Sequence, residues 1–248
     1  CLLGYSTGVM VRDYFITWAR DPGLFTAFDV GLGQAAEYLA ALPQNLVSLS
    51  PVGRNQPIFL FAFRDNVSGL KTFNGRRCVV YPLRPDRDWT HVTIVAEESR
   101  SLETIMRLFP SGQITRQISG RAYPAAGQPY ATAYQVKAGT PAQVQMQDIA
   151  SLGEQITLTA FDYPYAAAQP GQTLPITLTW MSRAGLDRDY TVFVHLSPAP
   201  GVPPIAQEDA QPCDNSYPTS WWSPGEIIQE ERRIVIPLHT LPGQYVLT

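Results

Sequence analysis

The sequence predicts two folded parts in series. An α/β (or α+β) module spans residues 1–140, and an all-β, immunoglobulin-like or jelly-roll-like sandwich spans residues 148–248. Three observations carry this expectation. Apolar residues recur at helical steps of three and four only in the first half, most clearly at Phe28, Leu32, Ala35, Leu39 and Leu42. From about residue 140 the period becomes two: Leu174, Ile176, Leu178 and Trp180 alternate with Pro175, Thr177 and Thr179. The 22 prolines, about 9% of the chain against a usual ~5%, multiply turns and strand edges, because proline donates nothing to a ladder.

Taken in order, Val11, Tyr14, Phe15 and Trp18 suit a helix over residues 11–20, stopped by Asp21-Pro22. The Phe28–Leu42 stripe makes a second helix, with Thr26 or Asp29 as its cap and Pro43 as its end. Leu46–Leu49 reads as a strand. The run Ile58–Phe63 fits either a buried strand or a helix opened by Pro57, and the helix is preferred. Asn74-Gly75, between Leu70–Phe73 and Cys78–Tyr81, predicts a tight hairpin. His91–Ala96 is a strand, and Ser101 is expected to cap a helix reaching Phe109, with Glu103 near its positive end. Ile114–Ile118 and Tyr130–Val136 add strands. In the second half, strands are expected at Ile156–Phe161, Leu174–Trp180, Tyr190–Leu196, Ile227–Ile228, Ile234–Ile236 and Tyr245–Leu247, a sandwich pattern. The boundary falls between Lys137 and Leu152.

Composition narrows function. With 45% hydrophobic and 16% charged residues the chain has a core, and 18 basic against 21 acidic residues leave no basic face for nucleic acid. The longest apolar run, Ile58–Phe63, is far short of a membrane span, and no signal peptide is present. The abrupt Cys1-Leu2-Leu3-Gly4 start and the Tyr245–Thr248 end suggest a piece of something longer. Cys1, Cys78 and Cys213 show no metal-type spacing and no disulfide framework; a single Cys78–Cys213 bridge is left open.

Few motifs carry chemistry. Gly4-Tyr5-Ser6-Thr7-Gly8 matches a nucleophile elbow, but the strands that such an elbow follows have no room before it, so a flexible turn is expected. His91, His195 and His239 lack zinc spacing and read as strand or surface residues. Glu97-Glu98, Glu208-Asp209 and Glu230-Glu231 read as solvated charge, since strand neighbours point to opposite faces. No metal and no cofactor is expected. Asp209, Asp214 and Asn215 come nearest a calcium loop, without its glycine-anchored spacing. Asn66-Val67-Ser68 is formally a glycosylation acceptor, a pattern frequent enough by chance to decide nothing. The segment Asn215–Glu226 stands out. Tyr217, Trp221 and Trp222 can stack sugar rings if exposed, or close the end of a core if buried.

The stretch Arg12-Asp13-Tyr14-Phe15-Ile16-Thr17-Trp18-Ala19-Arg20-Asp21-Pro22, with Ala27-Phe28-Asp29 and the helix to Leu42, resembles the segment after the last transmembrane helix of bacterial GT-C membrane glycosyltransferases. These are relatives of dolichyl-phosphate-mannose protein mannosyltransferases and aminoarabinose transferases. Phe73-Asn74-Gly75 and Phe109-Pro110 continue the similarity. Pro170-Gly171, Leu174–Trp180, Asp189–Leu196, Tyr217–Ser220, Trp222–Glu226 and Leu241–Tyr245 are similar to a β-sandwich appended to such enzymes. The resemblance implies a soluble, non-catalytic, extracytoplasmic region tethered to its own transmembrane part. That enzyme would move a sugar from a polyprenyl-phosphate donor, and this region would position the acceptor or brace the enzyme. The family's catalytic carboxylate has no counterpart here, so no catalytic residue is carried over. The alternatives are a carbohydrate-binding sandwich built on Tyr217, Trp221 and Trp222, and a structural or protein-interaction module of the cell envelope.

Overall fold

The computed structural model describes residues 2–18, 21, 23–42, 46–119, 129–165 and 167–248. It begins with α1 (Leu2–Arg12), which continues through a π-helical turn, Asp13–Thr17, to Trp18. Gly4–Gly8 is therefore helix, not the expected turn. Next come α2 (Gly23–Ala27) and α3 (Val30–Ala40); Pro43, named above as a helix end, lies outside the described residues. Asp29 holds the N-cap position of α3 at φ 48° without a side-chain cap bond. Leu32, Ala35 and Leu39 are buried as their spacing requires, while Phe28 points outward.

The first half is built on β1 (Leu46–Ser50), α4 (Pro57–Phe63, with proline in its first turn) and a 3₁₀ turn leading to β2 (Leu70–Thr72). Then follow β3 (Cys78–Pro82), β4 (Trp89–Thr93), α5 (Arg100–Leu108), β5 (Gln113–Ile118) and β6 (Ala131–Val136). One mixed sheet runs β2-β1-β4-β6-β5, with β1 parallel to β2 and β4, and the rest antiparallel. Alternation along β1 and β4 gives the sheet two unlike faces. Val47, Leu49 and Val92 join α3 and α4 in an apolar cluster with Phe59 and Leu70. Ser48, Ser50, His91 and Thr93 lie on the opposite face, and all are buried.

The second half contains β7 (Ala150–Leu152), β8 (Ile156–Asp162), β9 (Thr173–Ser182), β10 (Val192–Ser197), β11 (Ala206–Ala210), β12 (Glu226–Val235) and β13 (Val246–Leu247). They form a five-stranded antiparallel sheet, β3-β12-β9-β8-β7, and a three-stranded one, β11-β10-β13. Leu174, Ile176, Leu178 and Trp180 of β9 share a core with Ile228 and Ile234 of β12 and Val194 and Leu196 of β10. The fold is thus mixed α/β, dominated by three sheets.

Two sequence expectations fail together. The Asn74-Gly75 turn exists, with Asn74 O accepting from Arg77 N and Cys78 N at 3.1 Å, but its flanking strands do not pair. β2 joins the mixed sheet, while β3 crosses to the second half and pairs with β12, Cys78 facing Glu230. A border at 140–148 therefore does not separate the sheets. β3 is apolar on both faces because it serves two cores. Cys78 and Val80 enter the two-sheet core, whereas Val79 and Tyr81 pack with Met181 and Ile227 against Leu102, Ile105 and Phe109 at α5. Gly75 lies close against the Glu98 carboxylate, which a Cβ there would displace from its bonds to Ser50 and Ser101. A disulfide joins Cys78 to Cys213 across 135 residues, fastening β3 to the turn before Tyr217.

Smaller corrections follow. Ser99, not Ser101, occupies the N-cap of α5, its hydroxyl bonded to Glu103 at 2.8 Å, and Ser101 is buried in the first turn. Ile227–Ile228 and Ile234–Ile236, read as separate strands, belong largely to the single β12. β7 and β11 were not anticipated, because ASL and AQEDA carry no apolar alternation. No helix among the described residues is long and apolar enough to cross a membrane.

Candidate functional site

The polar face of the mixed sheet meets the Tyr217–Glu226 segment, and there the chain's polar groups gather. Lys71 leaves β2 toward that segment. Its ammonium donates to Trp221 O and to Ser223 Oγ (3.1 Å), and stands 3.6 Å from Glu226 Oε1. Tyr217 OH donates to Glu226 Oε2 at 2.9 Å, and Ser223 N to the same oxygen at 2.7 Å. Burial pushes the Glu226 carboxyl up, offset in part by Lys71; burial pulls the Lys71 ammonium down and sends the Tyr217 phenol well up. Two hydrogen bonds and the ion pair to Glu226 turn the Lys71 ammonium inward, toward the fold. The cluster acts as a clamp between the halves.

The three residues proposed as a sugar-stacking platform do not form one. Tyr217 is 0% exposed and Trp222 4%. Trp221 is half-buried, with the Arg54 guanidinium 3.4 Å from its ring centroid. Their apolar area fills the end of the two-sheet core, and the indole N–H of Trp222 is satisfied by Tyr217 O at 3.3 Å. The calcium candidates do not converge either. Asp209, on β11, is bonded to His195 (3.1 Å) and Gln207 (2.9 Å), and Asn215 Oδ1 accepts from Gln211 N within its own turn. Among the described residues, no group of three His, Cys, Asp or Glu side chains could hold a metal ion.

A second network lies behind the clamp. Phe73 stacks on His91 at 5.4 Å and meets the Tyr217 ring edge-on at 6.4 Å. His91 is fully buried, which holds its pKa down at about 3. Its Nδ1 is 2.9 Å from Ser48 Oγ and its Nε2 3.3 Å from Ser50 Oγ. Trp89 Nε1 donates to Ser48 Oγ at 3.1 Å, while Ser50 Oγ donates to Glu98 Oε1 at 2.6 Å. Ser101 also donates its hydroxyl to Glu98, and its N–H at 3.1 Å. These directions assign one tautomer: Ser48 donates to Nδ1, and Nε2–H donates to Ser50. Serine therefore stands between histidine and glutamate. Imidazole-activated hydrolysis needs histidine between the other two, accepting the serine proton. The arrangement is a satisfied polar core rather than an activated nucleophile.

The paired carboxylates divide as strand geometry requires, but not all are solvated. Glu230 is buried, bridged to the equally buried Arg232 at 2.9 Å, whereas Glu231 turns outward to Arg100 and Arg233. Sequence reasoning also missed the His91 network, although the alternation Val47-Ser48-Leu49-Ser50 announced a strand with one polar face.

The remaining distinctive surface is the N-terminal helix. Its apolar stripe is exposed: Tyr14, Phe15 and Trp18 are 65%, 71% and 45% exposed, and Met10 and Val11 continue the row. The rings cluster among themselves, Tyr14 to Trp18 at 5.2 Å and Trp18 to Phe28 at 6.0 Å. Known proteins offer no guide to these features: no family model matches the chain, and no curated protein or solved structure is significantly similar to it.

Proposed function

We propose that this chain is the non-catalytic, extracytoplasmic region of a membrane glycosyltransferase that uses a polyprenyl-phosphate-linked sugar. It stands against the bilayer through its N-terminal helix and helps to position the acceptor. In this reading the two sheets that share a core are an appended immunoglobulin-like or jelly-roll-like sandwich. The observation that carries the proposal is the exposed row Met10, Val11, Tyr14, Phe15, Ile16 and Trp18, with Phe28 beside it. An aromatic-rich apolar surface next to one Arg12–Asp13 pair suits the boundary between headgroups and hydrocarbon, where amphipathic rings concentrate.

Two further points support it. The Cys78–Cys213 bond suits an oxidising compartment outside the cytoplasm. The hydrogen-bonding capacity of Lys71, Glu226, His91, Ser50 and Ser101 is spent within the fold, which leaves these groups a structural role. The resemblance to the GT-C segment names the enzyme class. The test is flotation of the chain with phosphatidylcholine vesicles. The wild-type chain should float, and a Tyr14→Ser, Phe15→Ser, Trp18→Ser variant should remain in the dense fraction. A wild-type chain that stays dense would remove the membrane contact from the proposal.

A further inference from the structure

One further cavity belongs to neither network described above. It is an open groove of about 820 Å³ at one end of the two-sheet half, between the strand β8 with the loop after it and the segment leading into β13. Its walls carry Phe161, Tyr163, Tyr165 and Tyr245, and its polar lining residues include Gln169 and Gln244. Among its described lining residues there is no Asp, Glu, Lys, Arg or His. Tyr163 and Tyr165 are 47% and 40% exposed. Tyr163 leans on Phe161 with ring centroids 5.7 Å apart, and the Tyr245 hydroxyl is anchored on Leu241 O at 2.8 Å.

We infer that this groove binds a neutral oligosaccharide. A pyranose ring offers an apolar face of C–H groups and an equatorial rim of hydroxyls. Tyrosine rings present flat, stiff area for the face, at the ordering cost of only two torsions. Carboxamides donate and accept at once, so the two glutamines match hydroxyls without imposing a charge. A groove of this volume with a few polar groups on an apolar wall has the make-up of a ligand site. The uncharged lining selects against uronic acids and phosphates, whose anions would lose hydration without gaining a cation. This site is separate from Tyr217, Trp221 and Trp222, and it does not depend on the membrane reading: flotation can fail while the groove binds sugar, and the reverse.

The test is calorimetric titration, with saturation-transfer NMR, of the full chain against cellohexaose, mannohexaose and chitohexaose, with a galacturonic acid hexamer for comparison. At least one neutral oligomer should saturate. Tyr163→Ala and Tyr165→Ala should each weaken it about tenfold, and Gln244→Ala should weaken it less. Trp221→Ala should leave affinity unchanged. All three groove residues are exposed, so circular dichroism and thermal midpoint should match wild type. The inference is overturned if no neutral oligomer saturates up to about 10 mM, if binding survives Tyr163→Ala/Tyr165→Ala, or if the anionic hexamer binds more tightly.

Discussion

Replacing Glu230 by alanine should come close to unfolding the chain, and the structure shows why. The carboxylate accepts from Trp180 Nε1 (2.8 Å), Cys213 N (2.8 Å) and Arg232 Nη2 (2.9 Å), and the Glu230 and Arg232 side chains are 1% and 2% exposed. Without it, the guanidinium keeps only the carbonyls of Ala210 (3.1 Å) and Gln211 (3.3 Å), and its Nε already lacks an acceptor. Breaking a buried pair on one side costs about 3–5 kcal/mol. The orphaned indole and amide donors raise the total to about 4–8 kcal/mol, against a usual stability of about 5–15 kcal/mol. The double variant Glu230→Met/Arg232→Met removes the uncompensated charge and leaves only the two donors unmet. It should cost about 1–3 kcal/mol, less than Glu230→Ala alone. Urea unfolding followed by far-ultraviolet circular dichroism measures all of these. A Glu230→Ala loss below about 1 kcal/mol, or a double variant no better than the single, would refute the reasoning.

Three further outcomes follow from the same geometry. Burial lowers His91 from 6.5 to about 3, so the unfolded chain takes up a proton that the native one refuses. Stability is therefore full above pH 6.5 and falls as the pH drops through that window, by about 1.4 kcal/mol per pH unit from this group; an imidazole NMR titration of His91 centred near pH 6.5 would contradict this. The Cys78–Cys213 loop of 135 residues implies about 5 kcal/mol of denatured-state entropy, so dithiothreitol should lower the melting temperature sharply. Ellman titration of the unoxidised thiols in denaturant should find one of three cysteines free without reductant, and three would exclude the bond. Lys71→Met strands Glu226, whose pKa burial already raises. Its cost should be small near pH 4 and grow to about 2–4 kcal/mol as the pH rises and the carboxylate ionises; a loss equal at pH 5 and pH 8 in urea titrations would count against the clamp.

Periodicity made much of the fold legible. Leu32, Ala35 and Leu39 marked the buried stripe of α3, and the Leu174–Trp180 alternation marked β9. Pro57 resolved Ile58–Phe63 as helix for the reason expected, its missing N–H costing nothing in a first turn. What failed was long-range. A turn signal such as Asn74-Gly75 specifies a reversal, but not whether the two arms pair with each other. The sign that β3 serves two cores was present in Cys78-Val79-Val80-Tyr81, a run without alternation. Tyr217 and Trp222 were singled out as distinctive, but burial depends on what packs over a ring, and for Tyr217 that is Lys71 and Phe73 from the other half. Glu230 looked like one of a solvated pair; the two-sheet core, with Arg232 beside it on the same face of β12, turned it inward. The spacing of Tyr14, Phe15 and Trp18 announced a helix but not which way its apolar stripe faces, and it faces outward.

That outward face is the most direct route to the central claim. Of the five tryptophans, Trp89, Trp180 and Trp222 are buried and Trp221 is half-buried beneath Arg54, which leaves Trp18 as the indole open to a bilayer. Phosphatidylcholine vesicles brominated along the acyl chain quench indoles that enter the hydrocarbon boundary. A chain seated on the membrane through its N-terminal helix should lose the Trp18 share of its fluorescence on mixing, and Trp18→Phe should abolish that loss. Emission unchanged by brominated lipid at saturating vesicle concentration would contradict the account.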